Sequence, residues 1–320
     1  MVARPSPPEV ILSMSSTTSP IPACLSSLDV ELPLVGGIGA RIAGLLPEAI
    51  TAEIAAGIRK LVYEHKMVYF QGMDLDDERY IKLAGRIGRP QVYFQENYHH
   101  PDHPEIFVSS NLPFRGQKIG VAGTGAYWHS DCSFFGQPLS MTMISPRVLP
   151  EADRKTKFLD LNAAFEALPE ELRSRLENVR AVHEAKWRYK VQPSDVDKSL
   201  TELLAAFDEM APAVTHPAIT QHPVNGRKLL YVSSGFVVGF EGLPKVESDE
   251  LLQAVFKHME REQFIQTHVW RAHEVTLWDN RQLNHCAGDK YEKDHSTSYR
   301  IGVYDKLDFY PGVQGGEGPC

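Results

Sequence analysis

The stretch YWHSDCSF, Tyr127–Phe134, sets His129 and Asp131 two residues apart between aromatic side chains. On an extended strand, residues i and i+2 leave the same face. The pair can therefore offer two adjacent ligands to one metal ion. A distant third ligand would complete a facial triad of two His and one carboxylate, whose open positions suit non-haem Fe(II). The same residue types would also serve a tetrahedral zinc hydrolase. The pair alone decides little, because NYHHPDHPE holds a second copy, His100-Pro-Asp102. Pro101 and Pro104 disfavour an interior strand there, so that copy is expected to form a turn.

Two features downstream separate the copies. TLWDNRQLNHCAG places His285 just after an apolar strand and a polar turn, and SYRIGVYD places Arg300 in an alternating strand further on. A half-buried arginine is costly unless it meets an anion. A dicarboxylate would be one; Asp279 or Asp305 of this chain would be another.

The bulk numbers bound what surrounds these motifs. The 320 residues are 42% hydrophobic and 23% charged, which is ordinary for a soluble globular protein. A net charge of -8 with no long basic run makes nucleic acid an unfavoured partner. No apolar run approaches the roughly 20 residues that span a membrane. The start of the chain is rich in Ser, Pro and Thr, and its apolar piece VILSM is too short for a signal-peptide core. Residues 1–28 are expected to be a mobile tail on a cytoplasmic protein, with one domain over 29–320. Cys24, Cys132, Cys286 and Cys320 form no CxxC pair, which argues against both a disulfide scaffold and a thiolate zinc site.

Apolar spacing predicts a helix over 45–64, then a strand in MVYFQG stopped by Gly72, a short helix before GRP and a strand in EIFVSSN. QKIGVAGTG is glycine-rich without phosphate-loop spacing and is expected to be a loop. LSMTMISP reads as a strand, and KFLDLNAAFEALPEELRSRLENV as a strand continuing into a helix from Asn162. Residues 181–210 are polar and mixed, as in a surface insertion. An Asn225–Gly226 turn precedes a strand; SDELLQAVFKHMERE is an amphipathic helix; EVTLWDN, the His285 segment and TSYRIGVYD are late strands. Many short strands with few helices predict a mainly β fold with flanking helices, a jelly roll or barrel.

Taken in order, His-x-Asp, the distal His and the later Arg resemble the taurine/2,4-D dioxygenase (TauD/TfdA) family of Fe(II)/2-oxoglutarate-dependent oxygenases. GRIGRP, DRKTKFLDLNAAFEALP, HPVNGRKLLYVSSGFVVGF and LWDNRQLNH extend the resemblance over about residues 34–308. It implies a double-stranded β-helix, with His129, Asp131 and His285 as iron ligands. It further implies that Arg300 and Thr156 hold 2-oxoglutarate, and that a small-molecule substrate is oxidised by O2 through hydrogen abstraction, releasing succinate and CO2. Related halogenases lack the carboxylate ligand, so Asp131 favours oxygenation or desaturation-type chemistry.

A narrower resemblance, to isonitrile-forming oxygenases of N-carboxymethyl β-amino acids, lies in QVYFQENYHHPDHPEIFVSSNLP, GTGAYWHSDCSF and RYKVQPSD. It implies substrate contacts from Tyr93, Tyr98, Arg154 and Lys190. The sequence departs from that branch at Phe94, Gln192, Cys132 and Asp289, where Tyr, Arg, Tyr and His are expected. Losing Arg and His while gaining an acid weakens binding of a second carboxylate. A small amine-bearing carboxylic acid is therefore expected, with Asp289 able to face its ammonium. Isonitrile formation is the alternative, and a zinc-type hydrolase or a non-catalytic ligand-binding homologue are alternatives of another class. The plainer readings are rim aromatics for Tyr93 and Tyr98, a solvated Lys190, an ordinary strand Thr156, and Asp279 and Asn280 ordering a turn. Cys132 and Cys286 are expected to point away from the metal or fill gaps. A homo-oligomer fits this reading as well as a monomer.

Overall fold

The computed structural model describes residues 21–33, 37–192, 195–288 and 295–313. Asp289 and Cys320 lie outside them.

An eight-stranded sheet carries the molecule. Its order is Asp29–Glu31, Ala40–Ala43, Met67–Gln71, Glu274–Asp279, Met141–Val148, Thr297–Tyr304 and Arg89–Pro90, with Phe107–Ser110 also paired to Thr297–Tyr304. The pairing is antiparallel except between Ala40–Ala43 and Met67–Gln71. The alternation of side chains sorts the central strands. Val275, Leu277, Met141, Met143, Tyr299, Ile301 and Val303 join one core with Ile58, Leu61, Tyr80 and Leu83 of the helices Ala52–His65 and Asp77–Ile87. Their neighbours Trp278, Thr142, Ile144, Ser298 and Arg300 face the other way. Both helices start on side-chain caps, Thr51 to Ile54 N and Asp76 to Arg79 N.

On that second side lies a three-stranded sheet, Ile265–Val269, Lys155–Asp160 and Leu283–Ala287. Its register pairs His285 with Phe158 and Ala287 with Thr156. A separate sheet of Val214–Pro217, Arg180–His183 and Val237–Phe240 packs with the helices Leu161–Glu166 and Lys245–Met259. Among the described residues, no helix is long and apolar enough to cross a membrane.

Four expectations change. YWHSDCSF is not a strand: His129 forms an isolated bridge with His285, and the chain then turns through 131–134 with Cys132 at φ 54°. The described end of the expected tail, residues 21–28, is packed, and Leu25 is wholly buried in the helix-side core. The expected surface insertion begins as the central strand of a small sheet, Arg180–His183, while Trp187, Val191, Val196 and the later helix Leu200–Met210 lie largely outside. The helix expected from Asn162 onward is two, Leu161–Glu166 and Glu170–Leu176, because Pro169 has no N–H to continue the first.

Candidate metal centre and its cavity

His129, Asp131 and His285 meet in the interior, with their ligand atoms within 4.8 Å of one another. His129 Nε2 lies 3.7 Å from Asp131 Oδ1, and His285 Nε2 lies 3.8 Å from Asp131 Oδ2. These separations are too long for hydrogen bonds. They match two donors on one ion, which at bond lengths of about 2.1 Å sit up to about 4.2 Å apart. The His129–His285 bridge, closed by both backbone N–H···O bonds, brings together two imidazoles from distant parts of the chain.

The protonation states suit a cation. Burial lowers the pKa of both imidazoles, that of His285 to about 3, so each is neutral with a lone pair to give. Burial also raises that of Asp131, but the Arg300 guanidinium, helped by the Thr142 hydroxyl, outweighs it and holds the carboxyl well below its usual range. Orientation is set as firmly. His129 Nδ1–H donates to Tyr127 O at 2.8 Å, which leaves Nε2 free for the metal. Thr142 Oγ1 donates to Asp131 Oδ2 at 2.6 Å and accepts from Asn280 Nδ2 at 2.9 Å. Phe158 stacks on His285, and Trp278 meets it edge-on at 4.8 Å. Gly125, at φ 74°, is required: a Cβ there would stand 3.0 Å from His129 Cε1. Two neutral imidazoles and one ionised carboxylate converging on a common point fit Fe(II).

A cavity opens from this point. Tyr93, Tyr98, Arg154, Thr156, Lys190 and Arg300 all line it, as do Phe107, Tyr127, Phe134, Arg188 and Phe236. Its two deepest guanidinium groups differ. Arg300 Nη1 donates to Asp131 Oδ1 at 2.5 Å, and its Cζ lies 4.1 Å from the Phe107 ring centre, while its buried Nε has no hydrogen-bond partner among the described residues. Arg154 donates to Ser298 Oγ and faces no acid among the described residues, and burial lowers its pKa to about 10. Thr156 sits two residues on, diagonal to His285 on the same face of the three-stranded sheet.

A family model described as taurine catabolism dioxygenase TauD, TfdA family, matches residues 31–301. The chain belongs to the TauD/TfdA family. It is 29% identical over 258 residues to the alpha-ketoglutarate-dependent 2,4-dichlorophenoxyacetate dioxygenase of Cupriavidus pinatubonensis, covering 77% of this chain and 87% of that one. To the alpha-ketoglutarate-dependent sulfate ester dioxygenase of Pseudomonas putida it is 29% identical over 269 residues, or 82% and 85% of the two chains. A taurine dioxygenase structure from Burkholderia xenovorans superposes with a TM-score of 0.69 at 25% identity, over 87% of this chain and 89% of that one. AAD-2, solved with Mn(II) and N-oxalylglycine, shares the fold at a TM-score of 0.68 and 22% identity, over 86% and 96%. The chain is thus an Fe(II)/2-oxoglutarate-dependent dioxygenase, and the hydrolase and non-catalytic alternatives are set aside.

Within the dioxygenase, several plainer readings resolve. Arg300 is not the partner of Asp305 or Asp279, because Arg281 forks onto Asp305 at 2.9 and 3.0 Å and takes Asp279 at its amide. Asp279 meets His222 at 2.8 Å and orders the turn before His285. Asn280 reaches further, through Thr142 to Asp131. Cys132 lines the cavity beside Arg300, and burial pushes its thiol up to about 11. Cys286 points the opposite way to His285 along its strand and bonds Ala287 O. Gln192 folds back onto Lys190 O and Phe94 packs on Phe134, Phe135 and Phe207, so neither lines the cavity. Lys190 Nζ is held by Ala122 O and Gly123 O, tying the insertion to the glycine-rich loop.

The second His-x-Asp copy is divided. Asp102 pairs with Arg115 at 2.9 Å, and its amide donates to His100 Nδ1. His100 and His103 approach Asp77 instead, but Arg147 already holds that carboxylate at 3.2 Å. Sequence reading missed Thr142, Trp270, Ser298 and Arg188. A polar residue at an inward position beside a ligand strand was the available signal for Thr142 and Ser298.

Proposed function

We propose that the enzyme oxidises a small carboxylic acid bearing an amine, and that its two deep guanidinium groups divide the anions between them. Arg154, with Thr156 and Ser298, takes the distal carboxylate of 2-oxoglutarate; Arg300, with Tyr93 and Tyr98, takes the substrate carboxylate. The observation that carries this is the contrast in charge: Arg154 is a partly buried cation that meets no acid among the described residues, whereas Arg300 is already matched to Asp131. A buried guanidinium without a counter-charge is unfavourable until an anion arrives. This differs from the expectation that Arg300 holds the cosubstrate.

Bound Fe(II) and 2-oxoglutarate supply the oxidising chemistry, in which O2 is reduced and 2-oxoglutarate becomes succinate and CO2. The chain's own residues position the reactants. Thr156 and Arg154 orient one dicarboxylate, and the Phe107 and Tyr93 rings hold Arg300 flat against the substrate side. Aromatic faces at Tyr127, Phe134 and Phe236 suit an ammonium or an apolar body. Isonitrile formation from an N-carboxymethyl amino acid is a second reading, favoured by Lys190 at the cavity wall, where a second carboxylate would replace its carbonyl partners. We also infer one double-stranded β-helix domain over 29–320, a reading supported by Met67 and Trp278 of the large sheet packing on Phe158 and Leu283 of the three-stranded one.

The test is succinate release across simple carboxylic acids, amino acids and N-carboxymethyl amino acids, with mass analysis of products. Turnover by amine-bearing acids alone supports the first reading. Equal turnover of amine-free acids overturns the amine requirement, and isonitrile product selects the second reading.

A further inference from the structure

We propose that Trp270 is the positioning residue of the cosubstrate clamp, holding Thr156 and Arg154 in the poses that receive the distal carboxylate of 2-oxoglutarate. This rests on the assignment of that carboxylate to Arg154 and Thr156. Trp270 is 4% exposed and directly follows the strand Ile265–Val269, which pairs with Lys155–Asp160. Three contacts join it to the clamp. Its Nε1–H donates to Thr156 Oγ1 at 2.9 Å, its backbone N–H donates to Arg154 O at 3.0 Å, and its ring centre lies 5.7 Å from Arg154 Cζ.

The chemistry of the first contact gives it direction. An indole N–H only donates, so it occupies the threonine oxygen as an acceptor. The Thr156 hydroxyl hydrogen is then left to donate, and a carboxylate can only accept. Without the indole, that hydroxyl could turn and present its lone pairs to the incoming anion. The second and third contacts fix where Arg154 starts and give its side chain an aromatic face to lie along. The indole is itself wedged: His268 meets it edge-on at 5.1 Å and bonds Glu274 Oε1 at 2.6 Å. Glu274, His268, Trp270 and Thr156 thus form a continuous support from the large sheet to the cavity.

Trp270→Phe removes the N–H donor and keeps a ring. Calorimetric titration of 2-oxoglutarate into Mn(II)-loaded full-length protein without oxygen reads the effect directly. The dissociation constant is expected to rise about five- to tenfold. Mn(II) affinity, thermal midpoint without 2-oxoglutarate, and kcat at saturating 2-oxoglutarate are expected to stay within twofold or within a degree. In a Thr156→Val background the same substitution should add nothing further, because the partner it acts through is gone. An unchanged dissociation constant, additive losses in the double variant, or a parallel fall in Mn(II) affinity and thermal midpoint would each overturn the proposal. Failure of the unsubstituted protein to bind 2-oxoglutarate would instead bring down the functional reading, and this proposal with it.

Discussion

Asp131 receives three interactions at once: a guanidinium, a threonine hydroxyl and the approach of two imidazoles. Each contributes to keeping one carboxylate ionised and aimed. Thr142→Val removes the hydroxyl and orphans the Asn280 amide, and groups that orient a metal ligand are worth roughly 10- to 100-fold in affinity. A loss of that size is expected in Mn(II) titrations, with the thermal midpoint falling only modestly. The two arginines separate cleanly by kinetics. Arg154→Ala is expected to raise KM for 2-oxoglutarate by about 10- to 100-fold while substrate KM moves little, since a hydrogen bond to a charged group is worth roughly 1.5–3 kcal/mol. Arg300→Ala is expected to give the reverse pattern. If both variants raise the 2-oxoglutarate KM alone, the division between them is wrong. These residue roles were only half legible. The proposed ligands stood out by type and spacing, but which arginine meets an acid among the described residues depends on who stands beside it in space.

At the scale of elements, the alternation of strands was readable and its consequence was structural. Thr142, Ser298 and Arg300 face the cavity because Met141, Met143, Tyr299 and Ile301 face the helices. The turn at Asp131 was not readable, since an aromatic-flanked His-x-Asp has the composition of a strand and only the bridge to His285 stops it being one. The segment that follows this turn packs on the sheet holding His183 and His216. His216 donates from Nε2 to Phe135 O and accepts at Nδ1 from Tyr310. Burial lowers its pKa to about 4, against an ordinary value of about 6.5. Between those values the unfolded chain binds a proton that the folded chain does not, so stability falls as pH drops through that window. Burial moves His183 in the same direction. Urea unfolding should show a loss of roughly 2 kcal/mol from His216 between pH 7 and pH 5. His216→Gln should flatten that slope.

Across the whole molecule, a buried ion network and the proposed metal site tie distant segments together. Arg281, 1% exposed, joins the turn before His285 to Asp305 and to the carbonyls of Asp308 and Phe309. Breaking one side of such a pair leaves an uncompensated buried charge, so Asp305→Ala is expected to cost roughly 3–5 kcal/mol in denaturant unfolding. Metal should act in the opposite sense. At a free concentration 100 times its dissociation constant, Mn(II) is expected to add about 2.7 kcal/mol of stability. A chelator should remove that gain, and His129→Ala should never show it.

Sequence alone carried the β-rich class and the family, because these follow from residue chemistry and short-range periodicity. Tertiary structure decided that the motif is a bridge followed by a turn, that the second His-x-Asp is split between Arg115 and Asp77, and that among the described residues Arg300 meets an acid and Arg154 does not. Those outcomes depend on strand register and on burial. Both bring together side chains from separate segments of the chain, and no local pattern encodes which of them will meet.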